Sequence, residues 1–223
     1  MSAALSLPLS SPDARAGIAS LSAVSAPLPG LPTLTLQDAR WRRFQLLVVP
    51  GWHNSGEEHW QTRWERLQPA VRRAEQDDWE RPDPGSWVAR LDEAVRAAEK
   101  PVVLIAHSLG CVTVAHWVRE TGGRGVAAAL LVAPADVERE RAAPELRGFA
   151  PIPGDHLPFA TRVVATDNDP CCTAERAEEL ANQWGSDLVV IPGGGHLNAQ
   201  TRLGDWSMGQ LLLHDLVWRR RAG

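Results

Sequence analysis

Runs of consecutive apolar residues recur along the chain, at 44–49 (FQLLVV), 102–106 (VVLIA), 126–133 (VAAALLVA), 162–166 (RVVAT) and 188–191 (LVVI). Each has strand length, and successive rather than alternate positions are apolar. In 44–49 and 126–133 that is the pattern of strands buried on both faces, as in a parallel sheet. Residues 71–76 (VRRAEQ) fit a further, weaker strand. Between these runs the period changes to helical. Trp60, Trp64 and Leu67 fall on one face of a helix expected over 57–67, with Ser55 and Glu58 fitting a capping box at its start. Those tryptophans read as core. Asp83 then Pro84 opens a second helix carrying Trp87, Leu91, Ala94, Val95 and Ala98, which stops before Lys100-Pro101. A third follows residue 108. A fourth starts at Thr173, carries Ala177, Leu180, Ala181 and Trp184, and has Gly185 as its C-cap. Residues 203–221 contain a closing helix with Leu211, Leu212, Leu216 and Val217 inward, while 135–158 read as loop or short helix. Strands alternating with helices predict an α/β chain with a mostly parallel sheet and helices on both faces.

Residues 1–40 break that pattern. They are rich in Ala, Ser, Leu and Pro and carry few charges, so they read as a poorly ordered extension ahead of a domain over 41–223. They show no basic region followed by a continuous apolar one, which argues against a secretory signal. A length of 223 residues suits one domain with a sizeable core. A net charge of −4 gives no electrostatic case for nucleic acid or an anionic membrane as partner. Three cysteines (Cys111, Cys171, Cys172) make no disulfide framework, and a reducing, cytoplasmic location is expected. No apolar run approaches membrane-spanning length.

The chemistry starts at residues 101–117, PVVLIAHSLGCVTVAHW. An apolar strand, a break at His107-Ser108-Leu109-Gly110 and a helical stretch make the strand–turn–helix of a nucleophile elbow. The motif is Ala106-x-Ser108-x-Gly110, one methyl from G-x-S-x-G. A strand ending in a serine N-cap would look similar, so the rest of the chain must supply a base, an acid and an oxyanion hole. The best-placed base is His196, which follows the last strand through Pro192 and three glycines that let the backbone turn tightly. The acid comes from Thr166-Asp167-Asn168-Asp169-Pro170, again just after a strand. Asp169, held extended by the proline, is preferred, with Asp167 as competitor. The order Ser108, Asp169, His196 is that of α/β-hydrolases. The oxyanion donors expected are the backbone N–H groups of Leu109 and of Trp52, in the turn after the first strand. His53 and His59 are candidates for the pocket wall, and His107 is expected to face away along the turn. His116, His156 and His214 read as surface or packing residues. Asn198 braces its loop or orients substrate. No H-E-x-x-H occurs and Cys171-Cys172 lack metal-ligand spacing, so neither a metal nor another cofactor is expected. Cys111, a turn into an apolar helix, is a poor nucleophile.

With these residues in place, the chain resembles the small α/β-hydrolases of the YdeN and retinoblastoma-binding protein nine type. The matching stretches are VVPGWHNSGEEHWQTRWE, DDWERPDPGSWVARLDEAV, VLIAHSLGC, FAPIPGDHLPFATRVVATDNDPCC and GGGHLNAQTRLGDW. They cover nearly everything from residue 44 onward. The resemblance implies a compact hydrolase with a six-stranded sheet, no large lid and a triad of Ser108, Asp169 and His196. It also implies serine hydrolase activity on small carboxylic esters. The expected function is therefore an esterase-like serine hydrolase working through an acyl-enzyme on a small-molecule acyl substrate. The alternative is a protein-interaction module on the same scaffold, its activity vestigial or secondary, because a fold does not by itself confer activity. A protein partner is possible but nothing in the sequence indicates one.

Overall fold

The computed structural model of the chain describes residues 36–218. The extension expected over residues 1–40 lies outside the described residues up to residue 35. Leu36, on the extension side of the expected boundary at 41, is buried and donates its N–H to the Gln210 side chain at 3.2 Å.

Six strands form one sheet: β1 (Gln45–Val49), β2 (Val71–Arg73), β3 (Val102–His107), β4 (Val126–Val132), β5 (Ala160–Thr166) and β6 (Asp187–Ile191). Their order is β2-β1-β3-β4-β5-β6, and every neighbouring pair is parallel. Five α-helices connect or close it: α1 (Trp60–Leu67), α2 (Pro84–Arg96), α3 (Leu109–Thr121), α4 (Ala174–Trp184) and α5 (Ser207–Trp218). The apolar runs of β1, β3, β4 and β5 are explained by burial on both sides. The run of β6 departs from that expectation: β6 ends the strand order, none of its five residues is buried and Val190 is 42% exposed. Leu47, Val49, Leu104, Ala106, Leu131 and Val163 belong to the core shared with α2, α3 and α4. The alternate residues Leu46, Val48, Val103, Ile105, Leu130 and Val164 belong to the core shared with α1 and α5. Each such valine, leucine or isoleucine contributes about 1.5–3 kcal/mol by leaving water.

Local chemistry sets most helix ends as the sequence predicts. The Asp83 carboxylate accepts the N–H of Ser86 at 2.8 Å with Pro84 in the first turn, and Thr173 accepts from Arg176 at 3.2 Å. Gly185 closes α4 at φ 67°. Two expectations fail. The Ser55–Glu58 capping box does not form; α1 starts at Trp60 and is capped by His59, whose Nδ1 accepts the N–H of Gln61 at 3.2 Å. Ser55 is turned inward and donates to Gln61 Oε1 at 2.6 Å. Gln61 is fully buried, so its amide oxygen needs that donor more than the helix needs the cap. In α5, Leu213 faces inward where Leu211 was expected, and Leu211 is 44% exposed. The helix buries Gly209, Gln210, Leu213 and Leu216, positions on one helical face.

The chain passes from β1 out to β2 and back across to β3 on the other side of β1. The carboxyl ends of β1 and β3 therefore flank a topological switch point, where open parallel sheets form their sites. Among the described residues, no helix is long and apolar enough to cross a membrane.

Candidate active site

The turn between β3 and α3 places Ser108 at φ 54° and ψ −121°, a region that non-glycine residues avoid. Such a conformation costs about 1–3 kcal/mol and persists only where the surroundings enforce it. Ser108 stands at the N-cap position of α3, yet its side chain makes no capping hydrogen bond. The hydroxyl points elsewhere. The enforcement comes from close backbone packing. A Cβ on Gly110 would lie 2.2 Å from the carbonyl oxygen of Val49, and one on Gly51 would lie 2.7 Å from Ser108 Cβ. Ala106, the departure from G-x-S-x-G, is fully buried in β3 opposite Val49 and Leu131, where its methyl packs as core. The elbow thus needs glycine after the serine and tolerates alanine before it.

The loop after β6 turns with positive φ at Gly193 and Gly195 and delivers His196 to the elbow. His196 Nε2 lies 2.9 Å from Ser108 Oγ, and Nδ1 lies 2.9 Å from both carboxylate oxygens of Asp169. The side chains of His196 and Asp169 are 12% and 2% exposed. Burial alone would lower the pKa of His196. Hydrogen bonds to Asp169 and Cys171 and the Asp169 charge outweigh it and raise the value to about 9. Asp167, the competing acid, accepts the N–H of Gly193 at 2.7 Å, and Asn168 accepts that of Gly195 at 2.7 Å. Thr166 Oγ1 donates to the Gly195 carbonyl at 2.6 Å. The last residue of β5 and the three that follow it thus address the histidine loop, three through its backbone and Asp169 through the imidazole.

Leu109 and Trp52 flank the serine, the first as its neighbour in sequence, the second next to Gly51. Their backbone N–H groups meet no protein acceptor among the described residues. The Trp52 indole donates to the Glu80 carbonyl at 2.9 Å and stacks on His53. His53 is exposed, with Nδ1 2.8 Å from Glu80. His59, the other histidine expected at the pocket, is buried under the site; burial, then the charges of Arg73 and His196, lower its pKa to about 3.

His107 departs from expectation. It does not face away: it is 5% exposed and its Nε2–H donates to the His196 carbonyl at 2.9 Å. Gln61 was also not foreseen. Its amide donates to the Ile105 carbonyl at 2.8 Å near the end of β3. A lone glutamine on an otherwise apolar helix face was its only signal.

Among the described residues, the donor atoms of Asp169, Cys171 and His196 lie within 4.8 Å of one another. Asp169 and His196 bond each other, and the Cys171 N–H donates to Asp169 Oδ1 at 2.7 Å. Cys171, with Asn168, Asn198 and Thr201, lines a 460 Å³ cavity beside His196. Cys111 is fully buried and its thiol is pushed far up by desolvation, while burial raises Cys172 to about 12. Neither supplies a thiolate at neutral pH. The arrangement of hydroxyl, imidazole and carboxylate suits proton-assisted attack by Ser108 on an acyl carbon.

A family model for serine hydrolases matches residues 46–215. Among solved structures, a YdeN-like hydrolase from Pectobacterium atrosepticum is 33% identical, covering 79% of this chain and 91% of that one with a TM-score of 0.71. The ydeN gene product of B. subtilis is 18% identical over 70% of this chain and 89% of that one, TM-score 0.54. Est1E from Butyrivibrio proteoclasticus is 13% identical over 81% and 90%, TM-score 0.57. The last two likenesses show the fold alone, and the described residues of this chain have an α/β-hydrolase fold without a large lid. Comparison with curated protein sequences gives no match.

Proposed function

Because this chain belongs to the serine hydrolase family, alongside YdeN-like hydrolases, we propose that it is an esterase-like enzyme acting on small carboxylic esters through an acyl-enzyme. The observation that carries the reading is the continuous line from Ser108 Oγ through the two nitrogens of His196 to Asp169, each step 2.9 Å. Neutral His196 takes the Ser108 proton as Oγ bonds to the acyl carbon. The oxyanion that forms is held by the Leu109 and Trp52 N–H groups, the former at a helix N-terminus. As the tetrahedral species collapses, the bond to the leaving alkoxide breaks and His196 returns the proton to it. Water, activated by the same imidazole, then releases the acid and restores Ser108. Asp169 fixes the Nδ1–H tautomer and stabilises the imidazolium. The reading as an interaction module is not favoured, because the three side chains are in bonding contact rather than dispersed.

The test is labelling by a fluorophosphonate probe. Folded wild-type protein is expected to label and to hydrolyse short-chain aryl esters. Ser108→Ala is expected to lose labelling and at least about 10³-fold in turnover. Absence of labelling in the wild type defeats the proposal, and equal labelling of the variant moves the nucleophile elsewhere.

A further inference from the structure

We propose that His107 is a positioning residue that fixes the base against the nucleophile, an inference that rests on the triad reading above. His107 and Ser108 are adjacent, and both hold His196. Ser108 Oγ meets the imidazole at Nε2, and His107 Nε2–H donates to the backbone carbonyl of the same residue, each at 2.9 Å. One dipeptide therefore grips both ends of the base. The grip is rigid because His107 is the last residue of β3, a central strand, paired with Val132 of β4.

The histidine loop needs such a hold. The residue after His196, Leu197, has φ 45°, a left-handed conformation unfavourable for a side chain branched like leucine. Its backbone is captured from both sides. His107 takes the His196 carbonyl, and the Trp60 indole N–H takes the Leu197 carbonyl at 2.8 Å. The His107 ring is itself fixed in place, 4.7 Å from the ring of His59 and 5.0 Å from that of His196. Burial, then the neighbouring His59 and His196, hold its pKa well below the usual imidazole range. A neutral donor suits this place. When His196 becomes imidazolium during catalysis, a second cation beside it would oppose the step, and a neutral N–H does not.

A histidine that only completes the core would affect stability without singling out the chemical step. Two variants separate these roles. His107→Phe keeps a ring and removes the donor; His107→Gln keeps an N–H at the reach of Nε2. The expected result for Phe is a loss of about 10–100-fold in kcat with KM within about twofold, and a matching slowdown of fluorophosphonate labelling. Gln is expected to recover most of the loss. Wild-type kcat in the Phe variant, an effect on KM alone, or equal losses in Phe and Gln would overturn the proposal. A measurement on the unaltered protein covers the case in which Phe does not fold. Nitrogen-15 imidazole resonances are expected to show His107 as the neutral Nε2–H tautomer at pH 7, and the Nδ1–H tautomer or a cation would overturn it. If the wild type neither labels nor turns over, the hydrolase reading fails, while the tautomer still reports on the His107–His196 contact.

Discussion

The two carboxylates after β5 stand two positions apart and do different things. Asp169 faces the imidazole with both oxygens at 2.9 Å, whereas Asp167 holds the Gly193 N–H. Asp169→Asn is expected to lower kcat by about 10³–10⁴-fold, because an amide favours the wrong imidazole tautomer. Asp167→Asn keeps an acceptor oxygen for Gly193 and is expected to lose less than about tenfold. Ester turnover by the two variants, measured side by side, checks the assignment; a larger loss at Asp167 reverses it. The same contact sets a pH dependence. His196 must be neutral to accept a proton, and its partners raise its pKa to about 9. Turnover is therefore expected to climb with pH through the neutral range and level off near 9, and Asp169→Asn should move that limb to lower pH. Stability runs the other way. The folded pKa lies above the ordinary 6.5, so the pair stabilises the fold fully below 6.5 and its contribution fades as pH rises through about 9. A pH–rate profile with a limb near 6.5 in the wild type contradicts the effect of Asp169.

At the scale of elements, the site depends on how closely the start of α3 approaches the end of β1. Gly110 permits that approach: an added methyl would press within 2.2 Å of the Val49 carbonyl and 2.7 Å of that of Pro50. Backbone cannot yield as a flexible side chain can. Gly110→Ala is expected to destabilise by about 1–3 kcal/mol and, by displacing Ser108 and the Leu109 N–H, to reduce turnover on the order of 10²-fold. Denaturant melts and ester kinetics read the two effects; an active, stable Gly110→Ala would mean the elbow is looser than its contacts imply. This intolerance was legible in the sequence, since the motif itself demands small residues. So were the four inner strands, because burial on both faces writes itself as nearly unbroken apolar runs, whereas the outer β2 and β6 are not buried in that way. The Asp83 and Thr173 caps were legible too, because their partners are three residues away. What stayed hidden depended on distant partners. Ser55 looked like a cap until the buried Gln61 claimed its hydroxyl. The role of His107 rests on a carbonyl 89 positions away, which no local pattern records.

At the scale of the whole molecule, the described residues place no α-helical lid between β4 and β5. Residues 133–159 contain no α-helix, yet they are fastened down rather than free to swing. Phe149, Leu157, Ile152 and Leu146 are buried in the core shared with α2, α3 and α4. The Trp184 indole donates to the Pro153 carbonyl at 2.7 Å, Leu157 N–H donates to the Trp184 carbonyl at 3.0 Å, and the His116 ring bonds the Phe149 carbonyl at 2.9 Å. Near the acid loop, the Asp136 N–H donates to the Cys171 carbonyl at 3.1 Å. Opening this segment would expose that apolar surface and break those bonds together, so it has no low-cost alternative position. An enzyme whose site opens by moving a lid can respond to a lipid–water interface with a jump in rate. Here no such jump is expected. The rate on a sparingly soluble short-chain ester should follow one hyperbola up to and past its solubility limit, with at most about a twofold deviation. A sharp rise at that limit would show that residues 133–159 move as a lid after all, and that the packing around Phe149 and Trp184 is weaker than their burial implies.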